Sequence, residues 1–138
     1  MNRAYVDANV IVRLITDDPP DLADQAAELF RRVDEGTLEL VVDEIVLAET
    51  VWVLSSFYGF SPGQIASTLE MFLVSDHIVT DDKLLLLQAL TLYEKKNIDF
   101  VDAMIAVKMN KRGIRDVYSF DKHFDRLESV RRLDPATD

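Results

Sequence analysis

The sequence predicts an α/β fold in which a short, mainly parallel sheet is covered on both faces by helices. Two observations carry that expectation. Short β-rich runs alternate with helical periodicities along the chain, and the segments are separated by turn or capping residues. The chain length of 138 residues, 49% of them hydrophobic, then suits a single domain spanning residues 1–138 around one core.

Residues 4–6 read as a strand, and residues 9–15 as a helix presenting Val10, Ile11, Leu14 and Ile15 at helical spacing. Pro19 and Pro20 interrupt it, and residues 21–35 resume as an amphipathic helix with Leu22, Ala26, Leu29, Phe30 and Val33 on one stripe, ended by Gly36. Residues 38–42 are β-rich, Asp43 is a plausible cap, and residues 45–57 form a strongly apolar helix closed near Gly59. Ser61-Pro62-Gly63-Gln64 has the form of a capping box and opens a helix to about residue 74. A short strand over 77–80 precedes a helix over 82–96 with Leu85, Ala89, Leu92 and Tyr93 inward. Asp99 then caps a helix over 100–111 that stops at Gly113, and residues 116–120 are a strand, followed by a helical turn and a last strand over 130–133. In parallel sheets functional residues gather beyond the carboxyl ends of the strands, which is where Asp7 and Asp121 fall.

Composition narrows the chemistry. With no cysteine there are no disulfides, thiolate metal sites or cysteine nucleophiles, which fits a reducing cytoplasm. No apolar run is long enough to span a bilayer, and the acid at Asp7 stands where a secretory signal would continue its apolar core, so a soluble cytoplasmic protein without membrane attachment is expected. The net charge of −10, from 25 acids against 15 bases, argues against broad phosphate neutralisation. A nucleic acid would have to be met through local basic patches, bound cations or a basic partner.

Four carboxylates stand out by position. Glu49 has Ile45 and Val46 one turn before it, Trp52 and Val53 one turn after, and no base within a turn, so it is expected on an apolar, buried face where an unpaired charge is costly. Asp102 repeats the pattern with Ile105, Ala106 and Met109. Since Asp99 already serves as the cap, a second acid on the inner face calls for a reason other than the helix dipole. Asp7 and Asp121 follow strands, and Ser119 lies on the same side of its strand as Asp121. Such a cluster would not stay fully ionised without a cation. Oxygen ligands alone, with His77 and His123 lacking a partner at metal-binding spacing, select Mg²⁺ or Mn²⁺ over zinc. His77 is expected to be structural, whereas His123 adjoins Asp121.

Tyr5-Val6-Asp7-Ala8-Asn9, Leu47-Ala48-Glu49-Thr50, Asp99-Phe100-Val101-Asp102-Ala103 and the run from Tyr118 to Phe124 together resemble the PIN domain, in particular the VapC-type toxins of bacterial and archaeal toxin–antitoxin pairs. The resemblance implies a three-layer α/β/α fold, an acidic site for one or two Mg²⁺ or Mn²⁺ ions, and endonucleolytic cleavage of RNA. Asp7, Glu49 and Asp102 match the core acids and Asp121 the fourth, more variable one, expected to act through water. Asn9 and Ser119 match supporting polar positions, and Asp99 an acid at the start of the same helix. A homodimer and a cognate antitoxin are implied as well. Arg13, Lys108, Lys111, Arg112 and Lys122 lie near these segments as candidate phosphate contacts. Two rivals are a partner-binding protein on the same scaffold without catalysis and an aspartate-based phosphatase or phosphoreceiver. The phosphatase would want a second aspartate two residues after the first, where this chain has Asn9.

Overall fold

Capping and periodicity put most helix boundaries within a residue or two of their expected places in the computed structural model, which describes residues 1–136. The chain divides into two compact units at Lys83. The first contains β1 (Asn2–Tyr5), α1 (Ala8–Thr16), α2 (Pro20–Asp34), β2 (Leu38–Val41), α3 (Glu44–Ser56), α4 (Pro62–Val74) and β3 (Ile78–Val79). The strands form a parallel sheet in the order β1-β2-β3, with Tyr5 opposite Val41 and Val41 opposite Val79. Parallel neighbours cannot be joined by a tight turn, so the helices between them serve as crossovers. The core of this unit is Val6, Ile11, Phe30, Val33, Leu38, Leu40, Val42 and Ile78, with Phe30 meeting Phe72 edge to face at 5.7 Å.

The local chemistry explains these boundaries. Ser61 Oγ accepts from Gln64 N at 3.1 Å while Ser61 N donates to Gln64 Oε1 at 2.9 Å, completing the capping box that starts α4. Asp43 Oδ1 accepts from Ile45 N and caps α3. His77 adopts a left-handed backbone (φ 68°), its carbonyl accepts from Leu40 N at 2.9 Å, and its ring sits against Gly36, where a Cβ would come within 3.4 Å of Nε2. That is the structural role expected of it. The far ends of α1 and α3 are tied by a polar triad. Arg13 Nη1 donates to the Asp18 carbonyl and to Tyr58 Oη, both at 3.3 Å, and Tyr58 Oη donates to Asp18 Oδ2 at 2.9 Å.

The second unit holds most of α5 (Lys83–Lys96), then α6 (Phe100–Arg112), β4 (Asp116–Tyr118), a 3-10 turn over Lys122–Arg126 and β5 (Arg131–Leu133). β4 and β5 pair in parallel, Asp116 opposite Arg131 and Tyr118 opposite Leu133. Leu86, Leu90 and Tyr93 of α5, Phe100, Ala103 and Ala106 of α6, and Phe124 and Leu127 are buried, and Tyr93 meets Phe100 at 6.1 Å. Among the described residues the strand pairings are all parallel, where a mainly parallel sheet was expected, and they form one sheet of three strands and one of two. Both late strands are shorter than the sequence suggests, and β4 stops at Tyr118 because the next residue, Ser119, turns its hydroxyl onto Asp121 N. Among the described residues no helix is long and apolar enough to cross a membrane.

The triad predicts a measurable loss. Tyr58→Phe keeps the ring and removes the hydroxyl that links Arg13 to Asp18, so urea unfolding should show stability lowered by about 1 kcal/mol with an unchanged m-value.

Candidate active site

In the second unit the acids are set against one another. Asp102, in the first turn of α6, is only half-buried, and its carboxyl is pushed above the usual carboxylate range. Burial is the largest cause, followed by the negative charges of Asp121 and Asp99 and by a hydrogen bond with the Asp121 side chain, while His123 acts in the opposite sense. Asp121 is held from both sides. Its backbone N donates to Ser119 Oγ at 2.9 Å, and its Oδ1 accepts from His123 N at 2.8 Å, with His123 Nδ1 3.2 Å away. Arg132 Nη1 donates to the Ser119 carbonyl at 3.1 Å and steadies the same turn. Asp99 occupies the N-cap position of α6 but makes no side-chain cap bond and is exposed. The expectation that it caps the helix is therefore corrected, and its carboxylate instead acts on Asp102 through its charge.

In the first unit Asp7 follows β1 as expected and caps α1, its Oδ1 accepting from Val10 N at 3.2 Å. Asn9 is exposed on the first turn of α1 and lines a cleft of about 230 Å³ with Val10, Arg13 and Leu22. Glu49 departs from expectation. It is exposed, and its flanking residues Ile45 and Trp52 are 74% and 66% exposed, whereas the buried stripe of α3 is Leu47, Thr50, Val51 and Leu54. α3 is apolar almost all round, so its sequence period carries little information about which face turns inward. Glu49, being exposed, carries no cost of a buried charge.

Sequence reasoning read Asp43 only as a helix cap and passed over Asp81. Two residues beyond the paired Tyr5, Val41 and Val79 come Asp7, Asp43 and Asp81, so each strand of the three-stranded sheet is followed by an aspartate at the same step. The signal was present as an acid immediately after each β-rich run. Arg13, a candidate phosphate contact, is instead engaged with Asp18 and Tyr58. Lys122 is exposed and follows Asp121 as the first residue of the 3-10 turn.

The structure thus brings Asp99, Asp102, Asp121 and His123 together in one unit, with Ser119 supporting them, and sets Asp7, Asn9 and Glu49 in the other. Among the described residues no three His, Cys, Asp or Glu side chains are grouped closely enough to hold a metal ion. The chemistry of the donors nevertheless fits a hard divalent cation: every candidate ligand is a carboxylate, and burial together with the charges of Asp121 and Asp99 raises Asp102 in a way that a cation relieves.

Residues 4–130 match the model of the PIN domain family. The chain is also similar to a VapC ribonuclease of Aquifex aeolicus (strain VF5), 29% identical over 100 residues that make up 72% of this chain and 74% of that one.

The raised Asp102 predicts a sign. An acid whose folded-state pKa lies above its unfolded value destabilises the fold at pH values above both, and the penalty vanishes below the unfolded value near 3.8. In EDTA, Asp102→Asn should raise the melting temperature by a few degrees at neutral pH, and the gain should shrink as the pH falls towards that value. A neutral-pH melting temperature below wild type would contradict it.

Proposed function

Because the chain belongs to the PIN domain family, we propose that it is a metal-dependent endoribonuclease that hydrolyses RNA phosphodiester bonds, with Asp7, Glu49, Asp102 and Asp121 as its catalytic, metal-holding acids. The observation that carries the proposal is the Asp102 carboxyl, whose ionised form is disfavoured first by burial and then by the negative charges of Asp121 and Asp99. The likeness to a VapC ribonuclease supports RNA as the substrate. Mg²⁺ or Mn²⁺, when bound, supplies an acidified water and offsets charge on the transition state.

The chain's own residues prepare that chemistry. Asp7 and Asp121 each give one carboxylate oxygen to a backbone N–H of the following turn, which fixes the side chain and leaves the other oxygen outside the cap bond. Ser119 supports the Asp121 turn through its bond to Asp121 N, and Asn9 stands exposed in the first turn of α1 beside Asp7 as the proposed supporting polar group there. Asp102 ionises more readily when cationic charge arrives, and Asp99 adds negative potential without a side-chain cap bond to α6. Water oxygen attacks phosphorus and the bond to the 3′-oxygen breaks, leaving 5′-phosphate and 3′-hydroxyl ends. The 2′-hydroxyl takes no part in this hydrolysis.

The same reading assigns the chain to the cytoplasm as a homodimer and as the toxin of a pair whose antitoxin covers the site. Trp52, Phe57 and Met71, all more than 60% exposed, offer apolar surface for protein partners, while Val51, Leu54, Ile65 and Leu69 are buried and do not.

Purified protein should cut RNA with Mg²⁺ or Mn²⁺ and not with EDTA, and mapped products should carry 5′-phosphates. Asp7→Asn and Asp102→Asn should each abolish cleavage, and undiminished cleavage by both variants would remove the proposed site.

A further inference from the structure

The net charge of −10 is unevenly distributed. Residues up to Lys83 carry sixteen acids and five bases, a net of −11, whereas those from Leu84 on carry nine acids and ten bases, a net of +1. Within the second unit the signs are sorted again. Asp99 and Asp102 open α6, whereas Lys108, Lys111 and Arg112 lie in its last turns, Arg115 follows Gly113, and Arg131 begins β5. The helix dipole accounts for bases at the end of α6 but not for Arg115 and Arg131, which lie beyond it.

Those two are neighbours in space though sixteen residues apart in sequence. Arg131 N donates to the Arg115 carbonyl at 2.7 Å, and the ladder sets Arg131 opposite Asp116. Asp116 receives Arg131 through two bonds of 2.8 Å, which hold its carboxyl below the usual range. Gly113, Ile114, Arg115, Asp116 and Arg131 line an open cleft of about 430 Å³, and a Cβ at Gly113 would meet nothing within 4 Å. Among the described residues Arg112 and Arg115 form no ion pair, and both are exposed. Bases that gather at one turn of an acidic chain repel one another, and Asp116 offsets only part of that charge.

We propose that this turn, built from Lys111, Arg112, Arg115 and Arg131, is a docking surface for the phosphate backbone of single-stranded RNA, separate from the acids that cut it. The inference rests on the nuclease reading given above. Arg112 lies ten residues along α6 from Asp102, about 15 Å at helical rise. That span corresponds to roughly four phosphates at the ~3.4 Å step of a stacked strand. The RNA is held at the end of α6 by bases and presented at its beginning to carboxylates that repel it in the absence of a cation. Docking and cleavage then have different ionic requirements: docking weakens with added salt, and cleavage depends on the divalent ion.

Binding of a labelled single-stranded RNA to the full chain in EDTA, followed against salt concentration, tests this. Every base removed from the phosphate backbone should make the slope of log K against log salt shallower by about 0.7. Arg112→Gln with Arg115→Gln should therefore reduce it by about 1.4 and raise KM for cleavage about tenfold. Lys95→Gln with Lys96→Gln, which removes the same charge from the exposed end of α5, should leave the slope at the wild-type value. An unchanged slope in the arginine double variant, or an equal fall in both double variants, overturns the docking surface while leaving metal-dependent cleavage intact. A wild-type dimer that the arginine variant loses, with RNA binding unaltered, overturns it in favour of a second copy as the occupant. Cleavage by the wild type that persists undiminished in EDTA would instead sink the nuclease reading as a metal-dependent one.

Discussion

Carboxylates that repel one another are the constraint around which the second unit is arranged. Asp102, Asp99 and Asp121 are held close enough for the charges of two to alter the protonation of the third, and a hydrogen bond between Asp102 and Asp121 accommodates the repulsion. A fold optimised for stability alone would separate them or supply a base. His123 acts on Asp102 in the favourable sense, but its ring already lies against Asp121. The arrangement makes sense for a protein whose working state includes a positive ion.

The turns that hold these acids follow from parallel strand geometry. A parallel strand delivers its chain to a crossover helix, the start of that helix has unpaired N–H groups, and an aspartate satisfies one of them. Asp7 at α1 and Asp43 at α3 do this, and Asp121 does the same for the 3-10 turn after β4. One carboxylate oxygen stabilises the fold and fixes the rotamer, so the cap also preorganises the acid for a second task. At Asp7 and Asp121 the fold and the proposed catalysis would draw on the same side chain, so substitution with asparagine, itself a good cap, keeps the first and tests the second.

Much of this was legible from the residues. The capping box at Ser61, the aspartates after strands and the stop at Gly113 are local devices, each written in a few adjacent residues. What escaped depended on partners distant in sequence. α3 is apolar on most sides, so nothing in its pattern revealed that Ile45, Glu49 and Trp52 face outward together. Strands of two or three residues carry too little alternation to specify their neighbours, which is why the separation into sheets of three and two strands was not foreseen. Asp99 fits the composition of a cap but its side chain makes no cap bond, and the meeting of Arg115 with Arg131 arises only from the β4–β5 ladder.

If the crowding of carboxylates around Asp102 exists to receive a divalent cation, that ion must bind where the crowding is. Calorimetric titration of Mn²⁺ into the wild type, Asp102→Asn and Asp121→Asn measures this most directly. Binding by the wild type that falls at least tenfold in each variant, with both variants still folded, is the predicted result. Mn²⁺ affinity that Asp102→Asn leaves at the wild-type value would contradict it.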